Sequence, residues 1–261
     1  MRSWVADELK VGADPLGLDV HQDYGFDVPS NPERAAWWMP APHAARLLAA
    51  GAPVKLLSPR ADLLSLLPER FLGRSVQTCT LEEAGFTRPG WFKAADVKND
   101  DLPAAFYEPD VFLTAARRIL EPSSMVQFTE TTLDILVEYR FYVNHGEVTT
   151  GSAYLSEGVT YYDGLVTSEG FTRCEDFARD VLGFLQAESL APLSFVIDVA
   201  LPPSGPVVLE FNPSWCAGFY GADVTEVVKA LVTAADPSNL EHIWVPDAYY
   251  QARANRMRPL R

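Results

Sequence analysis

The sequence predicts an α+β fold, a strand-rich body with covering helices, behind a small α/β leader. Three observations carry this. Residues 1–90 are rich in proline and alternate short helical and extended runs. After Arg88-Pro89-Gly90 several strand-like runs follow, two of them joined by the turn sequences Asn144-His145-Gly146 and Pro202-Pro203-Ser204-Gly205. Between those runs, apolar residues recur at helical spacing in Asp110 to Leu120, Arg173 to Glu188 and Asp223 to Ala234.

Taken in order, Pro40 to Ala50 reads as a helix whose apolar face is Leu47, Leu48 and the alanines, closed by Gly51. Val54 to Leu57 reads as a short strand, and Ala61 to Leu67 as a helical turn or two. Trp91-Phe92-Lys93 starts a strand, the Asp110 to Leu120 helix follows, and Ser124 to Phe128 and Asp134 to Val143 are strands. A return strand runs from Val148 to Tyr154, and the Arg173 helix comes next. Ser194 to Leu201 and Val207 to Phe211 then form a hairpin, and the helix to Ala234 closes the body. The division expected is a leader at 1–88, a body at 89–245 and a tail at 246–261, whose Arg253, Arg256, Arg258 and Arg261 read as a solvated basic tail.

Composition bounds the function. With 261 residues, 48% hydrophobic and 21% charged, the chain suits one large domain or two modest ones, and a disordered or fibrous class is excluded. Against 35 acidic residues stand 21 basic ones, a net charge of −14, which makes nucleic acid and anionic membranes poor partners and small molecules or proteins better ones. Cys79, Cys174 and Cys216 fit no CxxC spacing, so a reducing compartment is expected rather than a disulfide framework. Charges stand near the start where a signal peptide needs an apolar core. Nor does any uncharged apolar run approach the roughly 20 residues of a membrane span. The expectation is a soluble cytoplasmic protein.

The chemistry concentrates in three places. In the hairpin, a turn centred on Ser204 pairs residues whose numbers sum to 408, which sets Asp198 opposite Glu210 with Asn212 on the same face. Two carboxylates facing each other on apolar strands repel and lose hydration. Either one reaches water at a strand end while the other caps a neighbour, or a divalent cation joins them. An all-oxygen Asp/Glu/Asn set suits Mg²⁺ or Mn²⁺. In Ile135 to Val143, Glu138 and Arg140 share a face whose reverse is Val137, Tyr139, Phe141 and Val143. That pair is either a cross-face ion pair or a groove in which Arg140 grips phosphate or carboxylate and Glu138 accepts from sugar hydroxyls. Third, Lys93 follows two aromatics and Lys98 follows it, as solvated lysines or as point charges for a polyphosphate.

In this order, the sets resemble the ATP-grasp superfamily, and within it the compact R2K clade, over about Pro89 to Ala235. The matching segments are Gly90-Trp-Phe-Lys93, Met125-Val-Gln-Phe128, Glu138-Tyr-Arg140-Phe-Tyr-Val-Asn-His-Gly, Ile197-Asp198-Val and Val208-Leu-Glu210-Phe-Asn212-Pro, then Trp215-Cys-Ala-Gly218-Phe-Tyr220-Gly. The resemblance implies an ATP-grasp fold and an ATP-dependent ligase that activates a carboxylate as an acyl-phosphate and joins it to an amine. It implies that Lys93 and Lys98 contact the ATP phosphates, and that Gln127 and Phe128 hold adenine through backbone groups. Glu138 meets the ribose, Arg140 holds the γ-phosphate and the carboxylate, and Asp198, Glu210 and Asn212 ligate Mg²⁺. A phosphotransferase, or a nucleotide-binding module without catalysis, shares those residues. Two departures stand out: no glycine lies between Lys93 and Asp101, where many members carry a glycine-rich lid, and Gln127 replaces a common glutamate.

Around this set, Trp215, Tyr220 and Tyr154 read either as substrate-side aromatics or as packing. Cys216 reads as part of a loop shaping the acceptor pocket, Arg74 as a reach into the cleft from the leader, and His21 and His43 as core or surface histidines. Because only Arg173, Arg179 and Lys229 are basic between Phe141 and Gln251, the anion-binding duty falls on Lys93, Lys98 and Arg140.

Overall fold

Alternation of buried and open side chains along Gly90-Trp-Phe-Lys-Ala94 makes that run a strand with one face for the core and one for a cleft. The computed structural model describes residues 3–254 apart from 24, 26, 27, 29, 157, 158, 161–168 and 237, so Arg256, Arg258 and Arg261 lie outside the described residues. The first sheet contains β1 (Gln77–Thr80), β2 (Gly90–Ala94), β3 (Ala105–Tyr107) and β4 (Met125–Thr129), antiparallel in the order β1-β4-β2-β3. Phe92 and Phe128 meet at 4.6 Å between ring centroids, and Phe92 stacks on Phe112 of helix Pro109–Ile119 at 4.7 Å. Gly90 is required by this packing, since a Cβ there would stand 2.4 Å from the Phe128 ring and 2.5 Å from the Thr129 carbonyl oxygen.

The second sheet has β5 (Val137–Asn144), β6 (Glu147–Ser156), β7 (Val159–Thr160), β8 (Ser194–Leu201) and β9 (Val207–Asn212), antiparallel in the order β7-β6-β5-β8-β9. Tyr139, Phe141, Val143, Phe195, Ile197 and Val199 turn one face towards the helix Glu169–Ala187. The reverse face is divided. Its apolar half, Tyr142 and Val196, lies under Trp215 and the helix Val224–Ala234. Its polar half carries Glu138, Arg140 and Asp198.

Most expected elements form within a few residues of their expected ends. The strand expected at Val54 to Leu57 does not. Leu57 makes a single bridge to Ile243, and Leu56 accepts from the Trp244 N–H, so this segment is held by irregular chain instead of a sheet. The helix Ser3–Ala13, absent from the elements expected above, joins Ala41–Ala49 in the core cluster of Trp215 and the Val224–Ala234 helix. Glu69–Leu72 forms another short helix and lies against β9. Arg253 is not a solvated tail residue. Its guanidinium bonds the Ile119 and Tyr249 carbonyls and pairs with Glu121, which pins the helix Ala248–Ala254. Among the described residues no helix is long and apolar enough to cross a membrane.

Candidate active site

Four side chains form a row across the second sheet. Ser152 of β6 lies opposite Arg140 of β5, Arg140 opposite Asp198 of β8, and Asp198 opposite Glu210 of β9. The expected sum of 408 holds from Val196 to Asp198. Nearer the turn, Ala200 pairs with Val207, one residue out of that sum, and a bulge at Leu209 takes up the difference. The turn is therefore half a residue away from Ser204, yet the carboxylates face each other as expected.

Cations and an amide hold those carboxylates. Arg140 grips Asp198 through Nε to Oδ1 at 2.8 Å and Nη2 to Oδ2 at 2.6 Å. Asp198 is fully buried and Arg140 is 5% exposed. Burial opposes the charged guanidinium, but the Asp198 carboxylate holds Arg140 well above its ordinary value. The Asn212 amide donates to Asp198 Oδ2 and Glu210 Oε1, each at 2.9 Å. Glu210 accepts from Lys93 Nζ at 2.7 Å. Burial would raise the Glu210 carboxyl; Lys93 and then Lys98 outweigh it and hold the group well below the usual carboxylate range.

Lys93 comes from the other sheet, so this ion pair spans the cleft between the two. Gln127 lies opposite Lys93 in β4 and reaches Thr78. Lys98 is exposed, and its backbone N–H donates to the Tyr250 hydroxyl. Phe128 turns its ring into the aromatic core. As β4 pairs with both β1 and β2, the backbone of Gln127 and Phe128 is used by the sheet, and the chain leaves it at Thr129. A small cavity of about 30 Å³ opens here, lined by Lys93, Gln127 and Glu210 together with Ser58, Arg60 and Asp96. Sequence reasoning missed the last three; the only mark of the Ser58 to Asp62 loop is a charged pair after a proline. Arg60 is fixed there by Asp62, at 2.9 and 2.7 Å.

Beside Arg140, the Tyr154 hydroxyl donates to Glu138 Oε2. Burial, opposed by that bond, raises the Glu138 carboxyl. Tyr154 and Tyr220 stack at 5.2 Å, and Arg140 Cζ lies 5.0 and 5.4 Å from their ring centroids. Tyr220 has φ +48°, and its ring comes within 3.2 Å of where a Cβ on Gly218 would be. A side chain at 218 would crowd that ring.

Of the two readings of Trp215 the packing one holds, and the expectation for Arg74 is corrected. Trp215 is fully buried, donates to the Leu57 carbonyl and meets Trp244, so it packs the core and has no substrate-side face. Arg74 does not reach into the cleft. Its Nη1 donates to the Leu72 and Val208 carbonyls, covering the outer edge of β9, and burial lowers it to about 10. Cys216 lies in the turn Ser214–Cys216, where burial pushes its thiol up to about 12. His21 is exposed and His43 is half-buried in its helix.

Among the described residues no group of three or more His, Cys, Asp and Glu is arranged to hold a metal ion. Asp198 and Glu210 bring carboxylate oxygens, the donor type a hard divalent cation takes, while Asn212 turns its amide nitrogen to both and Arg140 and Lys93 balance their charge.

A family model described as ATP-grasp domain, R2K clade family 2, matches residues 71–230. No curated protein matches the sequence. Among solved structures, D-cycloserine synthetase DcsG is similar at 15% identity, covering 97% of this chain and 94% of its own, with a TM-score of 0.49. A RimK domain ATP-grasp protein from Sphaerobacter thermophilus is 19% identical over 78% of each chain, with a TM-score of 0.42. D-alanine–D-alanine ligase from Bacillus anthracis is 12% identical over 66% of this chain and 65% of its own, also with a TM-score of 0.42.

Proposed function

The chain belongs to the ATP-grasp domains, R2K clade family 2, and from that membership we propose that it is an ATP-dependent ligase that activates a carboxylate and joins it to an amine. One observation carries the reading: Lys93 from one sheet meets Glu210 from the other at 2.7 Å, beside the row of Arg140, Asp198 and Glu210. Cations from both walls thus converge on a pair of carboxylates, as a metal-bound polyphosphate requires.

In this reading Lys93 and Lys98 neutralise the ATP phosphates. Arg140, whose Nε and Nη2 hold Asp198 and whose Nη1 donates to the Gly218 carbonyl, is the guanidinium that meets the terminal phosphate and the carboxylate through its remaining N–H groups. Glu138 accepts from the ribose hydroxyls. Adenine lies by Gln127 and Phe128, with backbone contacts from the segment that follows Thr129, the last residue of the ladder. Asp198, Glu210 and Asn212 hold Mg²⁺, which supplies charge neutralisation for phosphoryl transfer when bound; Mn²⁺ suits the same donors. The protein residues position reactants and need no nucleophile of their own. The leader, 1–88, presents Ser58 and Arg60 towards the bound substrate, and the reaction takes place in the cytoplasm on small-molecule or peptide substrates.

ADP release tests this reading. It should require both a carboxylate and an amine, with an amide as product. ADP formed with a phosphorylated product and no need for an amine would make the chain a phosphotransferase instead.

A further inference from the structure

We propose that Tyr154 is a positioning residue that fixes the sugar-side carboxylate of Glu138 relative to the phosphate-side guanidinium of Arg140. This rests on the nucleotide reading above. Three independent features point to it. In the β5–β6 ladder, Glu138 lies opposite Leu155 and Tyr139 opposite Ala153, so Tyr154 is the extra residue of a bulge. Ser152 lies opposite Arg140, so by period two Tyr154 shares the face of Glu138; the bulge keeps it there unpaired, and its hydroxyl donates to Glu138 Oε2.

The ring of the same residue lies against Arg140, with Cζ 5.0 Å from its centroid. One side chain therefore touches both groups that the proposed nucleotide needs in register. Tyr220, laid down by the Gly218 loop, backs the ring at 5.2 Å with 22° between planes. Without a donor, Glu138 would be a half-buried carboxylate in the field of Asp198 and Glu210, free to turn towards water. The phenol supplies the donor and the direction. It stays neutral, since burial and then the Asp198 and Glu138 carboxylates raise it.

The test is calorimetric binding of Mg-ATP and of Mg-2′,3′-dideoxyATP to the full chain and to Tyr154→Phe, Glu138→Gln and the double variant. The wild type should prefer ATP by about tenfold, the scale of a hydrogen bond to a charged group. Tyr154→Phe keeps the stacking ring and should reduce that preference to within about twofold, mostly by weakening ATP. In the Glu138→Gln background it should change nothing further. Tyr154→Leu must give the same collapse, which covers the case in which one variant misfolds. A preference retained in both Tyr154 variants, or equal weakening of both nucleotides, overturns the inference alone. Equal binding of both nucleotides by the wild type overturns the sugar assignment of Glu138 and the inference with it.

Discussion

Lys93 and Glu210, 117 positions apart in sequence, meet at 2.7 Å across the cleft between the two sheets. Their side chains are 19% and 28% exposed, open enough for a ligand to reach both. On the proposed reading a polyphosphate takes over Lys93 and a cation takes over Glu210. Lys93→Met should therefore reduce ATP turnover at least about 100-fold, the scale of a lost charge-stabilising donor, while circular dichroism stays unchanged. Turnover within threefold of wild type would remove Lys93 from the chemistry.

Arg140 and Asp198 form the buried counterpart. Removing one partner leaves a buried charge alone, so Asp198→Ala should destabilise the fold by about 3–5 kcal/mol. Urea denaturation measures it. Replacing both by apolar residues should cost less than the single change.

Acid should act through Glu210. Its folded value lies below the ordinary one because Lys93 and Lys98 outweigh burial. Its contribution to stability is then full above about pH 4.3, the ordinary glutamate value, and fades as pH falls towards the folded value. In urea melts from pH 6 to pH 3, the gap between wild type and Glu210→Gln should narrow only below about pH 4.3. A gap that narrows between pH 6 and pH 5 would contradict this.

Trp215→Phe should cost about 2–4 kcal/mol, through a small cavity and the lost bond to Leu57. The KM of the folded variant for each substrate should stay within twofold. A large KM change would return Trp215 to the substrate side.

Gly90→Ala should also destabilise, by about 1–3 kcal/mol, because the new Cβ meets the Phe128 ring and the Thr129 carbonyl within 2.5 Å. Thermal melts check this, and an unchanged melting temperature would contradict the packing.

Local patterns made much of this legible. Period-two alternation is enough to set Glu138 and Arg140 on one face of β5, while the β5–β8 register that brings Asp198 beside Arg140 is a long-range pairing the sequence does not encode locally. The Asp198–Glu210 facing was legible too, although the turn lies half a residue from Ser204 and a bulge at Leu209 makes up the difference. Bulges carry no such signal, so the register shift between Tyr142 and Val143 that brings Tyr154 to the side of Glu138 could not be read. The Ser58 to Asp62 loop enters the cleft because the leader packs on the Val224–Ala234 helix, a long-range contact that no local periodicity encodes. Trp215 was ambiguous for the same reason, since an indole reads alike in a core and in a pocket. Arg74 reads as a free cation in sequence, and only the edge of β9 shows what it covers.

The account stands most directly on the Mg-ATP response of the melting temperature. At about one hundred times the dissociation constant, ligand binding adds about 2.7 kcal/mol, a rise of about 5 °C or more for a chain of this size. The wild type should show that rise and Glu210→Gln should lose most of it. A melting temperature that stays flat as Mg-ATP is titrated into the wild type would contradict the nucleotide site itself.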